Sequence, residues 1–349
     1  MTDTDTREAD TRPWLIRVAP GLGVALIIAV VASLLGAAVP IVGGPVFGIV
    51  LGAVVAAILP AARSPHLAPG LGFASKPVLQ ISIVVLGTGL SLQQVLTVSG
   101  ASLPVMLGTL AVALAGGWLF GRWLNVRGDT QTLIAVGTGI CGASAIAATT
   151  AVIKAKESDV AYAIGTIFTF NIAAVLLFPP VGHLLGLSPE AFGLWSGTAI
   201  NDTSSVVAAA FAYDAEAGPH GIVVKLTRTL TLIPIVGVLA VYTARKTAKA
   251  DPQTAQKGSI PWRKLMPLFL VGFLVAASLQ SLGVIPQAWQ PGLSTLGTFL
   301  ITTALAGIGA SLRLDDMRKA GYRPLLLGAI LWVAVALSSL GLQALTGTL

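Results

Sequence analysis

The chain has 349 residues, of which 55% are hydrophobic and 10% charged, with a mean hydropathy of +0.86 and a net charge of +7. A soluble domain carries about 25% charged residues, so a soluble enzyme and a disordered chain are both excluded. The positive excess lies in short loops between apolar runs, which is how a membrane protein is oriented rather than how nucleic acid is bound. A single cysteine, Cys141, excludes an intramolecular disulfide and a cysteine-based zinc cluster.

Residues 1–21 read as a polar cytoplasmic tail. The first thirteen hold four acids, whereas a secretory signal begins with a basic stretch. Eleven apolar stretches then follow that are about long enough to cross a bilayer as helices. They are Leu22–Val39, Gly43–Leu59, Val78–Val98, Ser102–Arg122, Gln131–Ile153, Val160–Gly182, Ala191–Tyr213, Ile222–Ala244, Leu265–Gly283, Ser294–Leu312 and Arg323–Leu345. The longest loop, 245–264, is polar and holds six Lys or Arg. No soluble domain fits between the spans, so 22–349 reads as one transmembrane domain.

With the N-terminus in the cytoplasm, 17 of the 21 Lys and Arg fall on the cytoplasmic side. Of the other four, Lys225 and Arg228 fall within a span, and only Lys154 and Lys156 lie outside, following a segment, Gln131–Ile153, that also holds Gly137-Thr-Gly-Ile-Cys-Gly-Ala-Ser144. Such a run weakens a helix. It also exposes amide groups at the start of the half-helix that follows, where about half a positive charge attracts anions. Ala191–Tyr213 holds a second run, Ser196-Gly-Thr-Ala-Ile-Asn-Asp-Thr-Ser-Ser205, which cannot face lipid but can line a cavity. Both segments are expected to be interrupted. Two re-entrant hairpins of opposite sense give nine full spans; two broken crossing helices give eleven. The fold class is therefore an all-α polytopic membrane protein of 9–11 transmembrane helices.

Gly87-Thr-Gly-Leu-Ser-Leu92 reappears as Gly307-Ile-Gly-Ala-Ser-Leu312. At the same shift of 220, Pro104, Leu107 and Gly108 meet Pro324, Leu327 and Gly328. An odd number of spans separates the copies, so they face opposite ways, as in secondary transporters built from inverted repeats. The halves run approximately over 43–182 and 191–345.

Thirteen of the 14 acids lie in loops or at span ends, and Asp202 alone sits deep in an apolar segment. A carboxylate there costs roughly 2.5–3.5 kcal/mol on insertion scales, so it needs a partner or water. It is the candidate site for a coupling H⁺ or Na⁺. A cap on a half-helix is the simpler role, and the two are compatible. The candidate binding residues are Gly139, Ile140, Cys141, Gly142, Ala143 and Ser144 at the first run, and Asn201, Asp202, Thr203, Ser204 and Ser205 at the second. Lys225 and Arg228, three residues apart on one helix face, complete the set. They either snorkel to the interface or pair with Asp202 or an anion. Cys141 reads as a packing residue.

Asn171, Thr166 and Thr169 add polarity to the preceding span. The Gly44, Gly48, Gly52 ladder packs helices, within the chain or between protomers of a homo-oligomer. His66, His183 and His220 are widely spaced, and no metal set, phosphate loop or catalytic cluster stands out. Neither an enzyme nor a bound cofactor is expected.

Gly139-Ile-Cys-Gly-Ala-Ser-Ala-Ile-Ala-Ala148, Phe192-Gly-Leu-Trp-Ser-Gly-Thr-Ala-Ile-Asn-Asp-Thr-Ser-Ser-Val-Val-Ala-Ala209 and Lys225-Leu-Thr-Arg-Thr-Leu230 resemble the YeiH-type family of bacterial inner-membrane proteins. Ala74-Ser-Lys76 and Lys319-Ala-Gly-Tyr-Arg-Pro-Leu325 fit the same pattern, so the resemblance covers roughly 43–345. Members are described as sulfate exporters. The family looks related to the bile-acid/sodium symporter and Na⁺/H⁺ antiporter group, which uses inverted repeats and crossing broken helices. The resemblance implies that 140–144 and 201–205 form the interrupted core, with Lys225 and Arg228 on its functional face. One family pattern has His where Asn201 stands and Gln where Ser205 stands; this chain departs from it at both. The expected activity is secondary transport of a small anion by alternating access, with a cation/proton antiporter as the alternative.

Overall fold

The computed structural model describes residues 13–39, 43–58, 64–250, 267–311 and 322–349, with 244–250 described as backbone alone. The tail residues 1–12, loop residues 251–264, Arg63, Leu312, Arg313, Arg318 and Lys319 lie outside the described residues. Among the described residues every regular element is helical. The order begins α1 (Trp14–Ala38), α2 (Gly43–Ile58), α3 (Ala68–Phe73), a π-helical turn (Ala74–Val78), α4 (Leu79–Gly87), α5 (Leu92–Trp123), α6 (Asp129–Gly139) and α7 (Ala143–Ile153). It continues α8 (Glu157–Leu184), α9 (Pro189–Ala199), α10 (Thr203–Tyr213), α11 (Ala217–Leu230), α12 (Leu232–Ala250), α13 (Leu268–Ser281), α14 (Gln290–Ala310) and α15 (Tyr322–Thr346).

Seven described helices are long and apolar enough to cross a membrane: Trp14–Ala38, Ala68–Gly87, Leu92–Trp123, Glu157–Leu184, Ala217–Thr243, Gln287–Ala310 and Tyr322–Thr346. Shorter apolar helices lie at Gly44–Ile58, Ala143–Ile153, Thr203–Tyr213 and Leu268–Ser281. The multi-pass, all-helical class expected from composition is what forms.

Several boundaries differ from those read off hydropathy. The first helix starts at Trp14, eight residues inside the expected tail, because Leu15, Ile16 and Val18 extend its apolar run. The stretch Val78–Val98 is not one span. Hydropathy runs across a turn at 88–91, where Ser91 caps α5 by accepting from Gln94 N and Gln94 returns a bond to Ser91 N. The polar segment taken as a loop from 245 is helical through Ala250, as Ala- and Lys-rich sequence favours.

The chain divides into two compact units. One comprises residues up to Leu79 together with Phe299–Leu312; the other comprises Gln80–Thr298 and Arg313–Leu349. In the first, glycines let backbones touch. A Cβ on Gly21 would lie 2.7 Å from Leu71 N, and one on Gly52 would lie 2.9 Å from Ala310 N. The Gly44, Gly48, Gly52 ladder packs α2 within the chain, Gly48 and Gly52 against α14 and Gly44 against both α14 and Ser33 of α1.

In the second unit, packing obeys a two-fold exchange. Helix α5 packs on α6 as α15 packs on α9; α8 packs on α6 as α11 on α9; α7 meets α12 as α10 meets α8; α15 meets α6 and α8 as α5 meets α9 and α11. The long helices α5 and α15 pack on each other and run antiparallel, since Gly108 meets Leu342 and Gly116 meets Leu331. The exchange involves only α5–α12 and α15, so it does not span the expected halves, and two different shifts describe it. The 220-residue shift carries α5 onto α15. A different shift governs the rest: adding 60 to 129, 139, 143, 153 and 157 gives 189, 199, 203, 213 and 217, the bounds of α9 and α10 and the start of α11.

We expect Gly52→Val to lower stability by about 1–3 kcal/mol, the usual effect of forcing volume into a closed contact. Thermal unfolding of the purified protein in detergent measures it, with Gly23→Val, where no atom lies within 4 Å of the new Cβ, as the neutral comparison.

Candidate functional site at two helix breaks

The segment Gln131–Ile153 is two helices. Helix α6 ends at Gly139, and the chain turns through Ile140, Cys141 and Gly142 before α7 starts at Ala143. Gly142 has φ +68° and ψ −129°, a region closed to residues with a Cβ, so only glycine makes this turn without strain. The segment Ala191–Tyr213 is likewise two helices. Helix α9 ends at Ala199; Ile200 and Asp202 are extended; α10 starts at Thr203. Here the N-cap is Asp202, whose Oδ2 accepts from Ser204 N at 3.0 Å and from the Ser204 hydroxyl.

The two breaks meet. A Cβ on Gly142 would lie 3.6 Å from both Asn201 C and Asp202 N. Lys225 of α11 joins them: its Nζ donates to Ile140 O at 2.7 Å and to Ile200 O at 2.8 Å. Arg228, one turn on, donates from Nε to Gly139 O at 2.7 Å and from Nη2 to Thr138 O at 2.9 Å. Both side chains are 0% exposed. Snorkelling is thus ruled out for this pair. Their hydrogen bonds among the described residues go to main-chain carbonyls rather than to Asp202.

The physical reason is the helix end. The last four carbonyls of a helix lack an intrahelical partner and carry about half a negative charge. Two such ends buried side by side need donors, and a buried ammonium needs acceptors. Each defect satisfies the other. Helix α8 adds Asn171, whose Oδ1 accepts from Asp202 N at 3.2 Å. Helix α15 adds Ser339, hydrogen-bonded to Thr198 at 2.7 Å. Stacked rings hold α9 in place, with Phe178 on Trp195 at 4.1 Å and Phe192 on Tyr213 at 3.9 Å.

Not every polar atom here is used. Thr138 Oγ1, Asn171 Nδ2, Asn201 Oδ1 and Arg228 Nη1 are buried without a partner. Asp202, Thr203 and Ser204 are half-buried, Ser205 is buried, and Ser144 is exposed. Cys141 is a free, buried thiol packed among Leu110, Val136, Leu232 and Val236, which is a packing role. A cleft of about 390 Å³ opens along α6 and α12, lined by Leu114, Trp118, Gln131, Val136 and Pro234 among others. It is mainly apolar, and Gln131 spends its amide on Gly117 O and Trp118 O, so it is no rival to the polar junction. No cluster of metal-ligating side chains occurs among the described residues.

The structure brings Gly139, Ile140 and Gly142 of the first run and Asn201 and Asp202 of the second together around Lys225 and Arg228. Sequence reasoning undervalued Asn171 and missed Thr138 and Ser339. A signal for the junction was present: Gly137-Thr-x-Ile140 with Ser144 recurs 60 residues on as Gly197-Thr-x-Ile200 with Ser204. Lys225 binds the carbonyls of the two corresponding isoleucines.

A family model described as "Conserved hypothetical protein 698" matches residues 20–328. A UPF0324 membrane protein of Streptococcus pyogenes serotype M18 is 44% identical over 340 residues, covering 95% of this chain and 98% of the relative. A UPF0324 membrane protein of Streptococcus pneumoniae is 42% identical over 342 residues, covering 96% and 99%. One of Streptococcus mutans is 41% identical over 338 residues, covering 94% and 97%.

Replacing Lys225 with Leu leaves two buried carbonyls without their donor. At about 1–3 kcal/mol for each orphaned group, we expect a loss of roughly 2–6 kcal/mol, read as a fall in the unfolding midpoint in detergent. Asp202→Asn should hold stability within about 1 kcal/mol, because Asn caps a helix as well as Asp.

Proposed function

The chain belongs to the family described as conserved hypothetical protein 698, the YeiH-like family, and from that premise we propose that it is a secondary transporter moving a small anion across the bacterial cell membrane by alternating access. The observation that carries the reading is Lys225 Nζ bonded at once to Ile140 O and Ile200 O. A buried cation between two helix breaks makes a polar junction inside an apolar protein. Broken helices of this kind line the binding sites of secondary transporters. The exchange of α5 with α15, and of α6–α8 with α9–α12, supports an inverted repeat, the architecture that lets one site open to either side in turn.

An anion is favoured by the donors in surplus. Lys225, Arg228 and the uncapped start of α7 all present positive charge or N–H groups, against the single carboxylate of Asp202. Asp202 spends Oδ2 on the cap and is the candidate for a coupling H⁺ or Na⁺. Charge placement supports an N-terminus in the cytoplasm. A second reading, a cation/proton antiporter centred on Asp202, draws on the unpartnered acceptor Asn201 Oδ1 next to it.

Purified protein in proteoliposomes separates the two readings. An anion transporter accumulates radiolabelled sulfate or a small organic anion. A cation antiporter instead gives a Na⁺-driven pH change with no anion flux. Asp202→Asn is expected to abolish coupled uptake while the protein still folds; unchanged coupled flux would remove Asp202 from the mechanism.

A further inference from the structure

The two breaks are copies, and one copy lacks its carboxylate. Subtracting 60 from Asp202 gives position 142, and from Ser204 gives 144. At α10 the Asp202 carboxylate sits on the N-terminus and takes both the N–H and the hydroxyl of Ser204. At α7 the corresponding residues are Gly142, which has no side chain, and Ser144, which is exposed. The start of α7 has no side-chain cap. One half-helix end thus carries its anion within the chain; its twin is open.

A second observation marks the open end as a place for a ligand. Asn171 is 3% exposed and fixed through Oδ1 to Asp202 N. That nitrogen lies 3.6 Å from the point where a Gly142 side chain would begin. The amide of Asn171 therefore stands at the junction beside the missing side chain, with its Nδ2 donor unpartnered. Asn201, 1% exposed, brings an unpartnered acceptor, Oδ1, to the same junction. Donors for an oxyanion and one acceptor for a neighbouring hydroxyl are buried there unused.

Charge sets the valence. Four half-helix ends meet, two negative and two positive, and cancel. With Asp202 ionised and no coupling cation on it, Lys225 and Arg228 leave one positive charge over. A monoanion balances it; a dianion such as sulfate overshoots by one, which a low-dielectric site penalises.

We propose that the N-terminus of α7 binds a small monovalent hydroxycarboxylate, its carboxylate on the Ala143 and Ser144 amides and the Ser144 hydroxyl, where Asp202 sits in the other copy. The Asn171 amide adds a hydrogen bond to the carboxylate, and Asn201 Oδ1 takes the ligand hydroxyl. For its role as cargo, the ligand rests on the transporter reading.

The test uses full-length protein in nanodiscs, with thermal unfolding followed against glycolate and sulfate at constant ionic strength. A ligand that binds the folded state raises the midpoint with its concentration. Glycolate is expected to act at concentrations at least ten-fold below sulfate. Ser144→Ala and the isosteric Asn171→Asp, whose ligand-free midpoints report their folding, should each shift the glycolate response at least ten-fold to higher concentration. No glycolate response, a sulfate response at equal or lower concentration, or an unshifted response in both variants overturns the site. Flux assays keep the two readings apart. Anion flux with no glycolate stabilisation leaves the transporter standing and removes this site. Stabilisation lost in both variants, with no flux of either anion, upholds the site and removes the transporter.

Discussion

One ammonium group organises the core of this protein. Lys225 Nζ lies between Ile140 O and Ile200 O, and with Arg228 it supplies the donors that two interrupted helices would otherwise lack. In hydrocarbon an unsatisfied carbonyl costs several kcal/mol, so a helix can stop at mid-depth only where something answers its open end. The reverse constraint acts on the lysine, which could not be buried at 0% exposure without acceptors of this strength. Break and cation are each tolerable only because of the other. The small and polar residues around them follow: Gly142 for a turn no other residue makes, Asp202 to close the start of α10, and Asn171 to hold the Asp202 amide.

Symmetry explains why one lysine is enough. Ile140 and Ile200 hold the same place in two copies of a 60-residue unit, and the packing of α5, α6 and α8 is exchanged with that of α15, α9 and α11. A single donor lying between them serves both carbonyls. The copies are not identical, and the departures are chemical. Where one has Asp202 the other has Gly142, so one half-helix start is filled and the other is open. An arrangement that is symmetric in packing and asymmetric in charge can hold a ligand on one side without losing its frame.

Away from the junction, packing relies on the absence of side chains. Gly21 against Gly70, and Gly52 against Ala306 and Ala310, bring backbones together in the first unit. Gly116 and Gly117 of α5 make room in the second for the side chains of Leu331 and Ala135. Between apolar helices in lipid there is little hydrophobic gain in association, so close contact through small residues takes its place.

Composition and hydropathy alone determined the class of this protein, an all-helical multi-pass membrane chain, and marked two glycine- and polar-rich runs where a helix should weaken. Those traits are local: too few charges for water, runs too long for a soluble core, and glycine, Asn and Asp where a helix should continue. Asp202 as a helix cap was legible for the same reason, since its partner Ser204 is two residues away. The partners of Lys225 were not. They lie 85 and 25 residues off in the chain, and a carbonyl leaves no mark in a sequence, so the apparent choice was lipid headgroup, Asp202 or substrate. The boundary between α4 and α5 was misread because the turn through 88–91 is too short to interrupt the apolar run. Only the fold could show that two glycine-marked runs 60 residues apart meet at one cation, because that meeting depends on how α11 packs against both breaks and not on any residue within them.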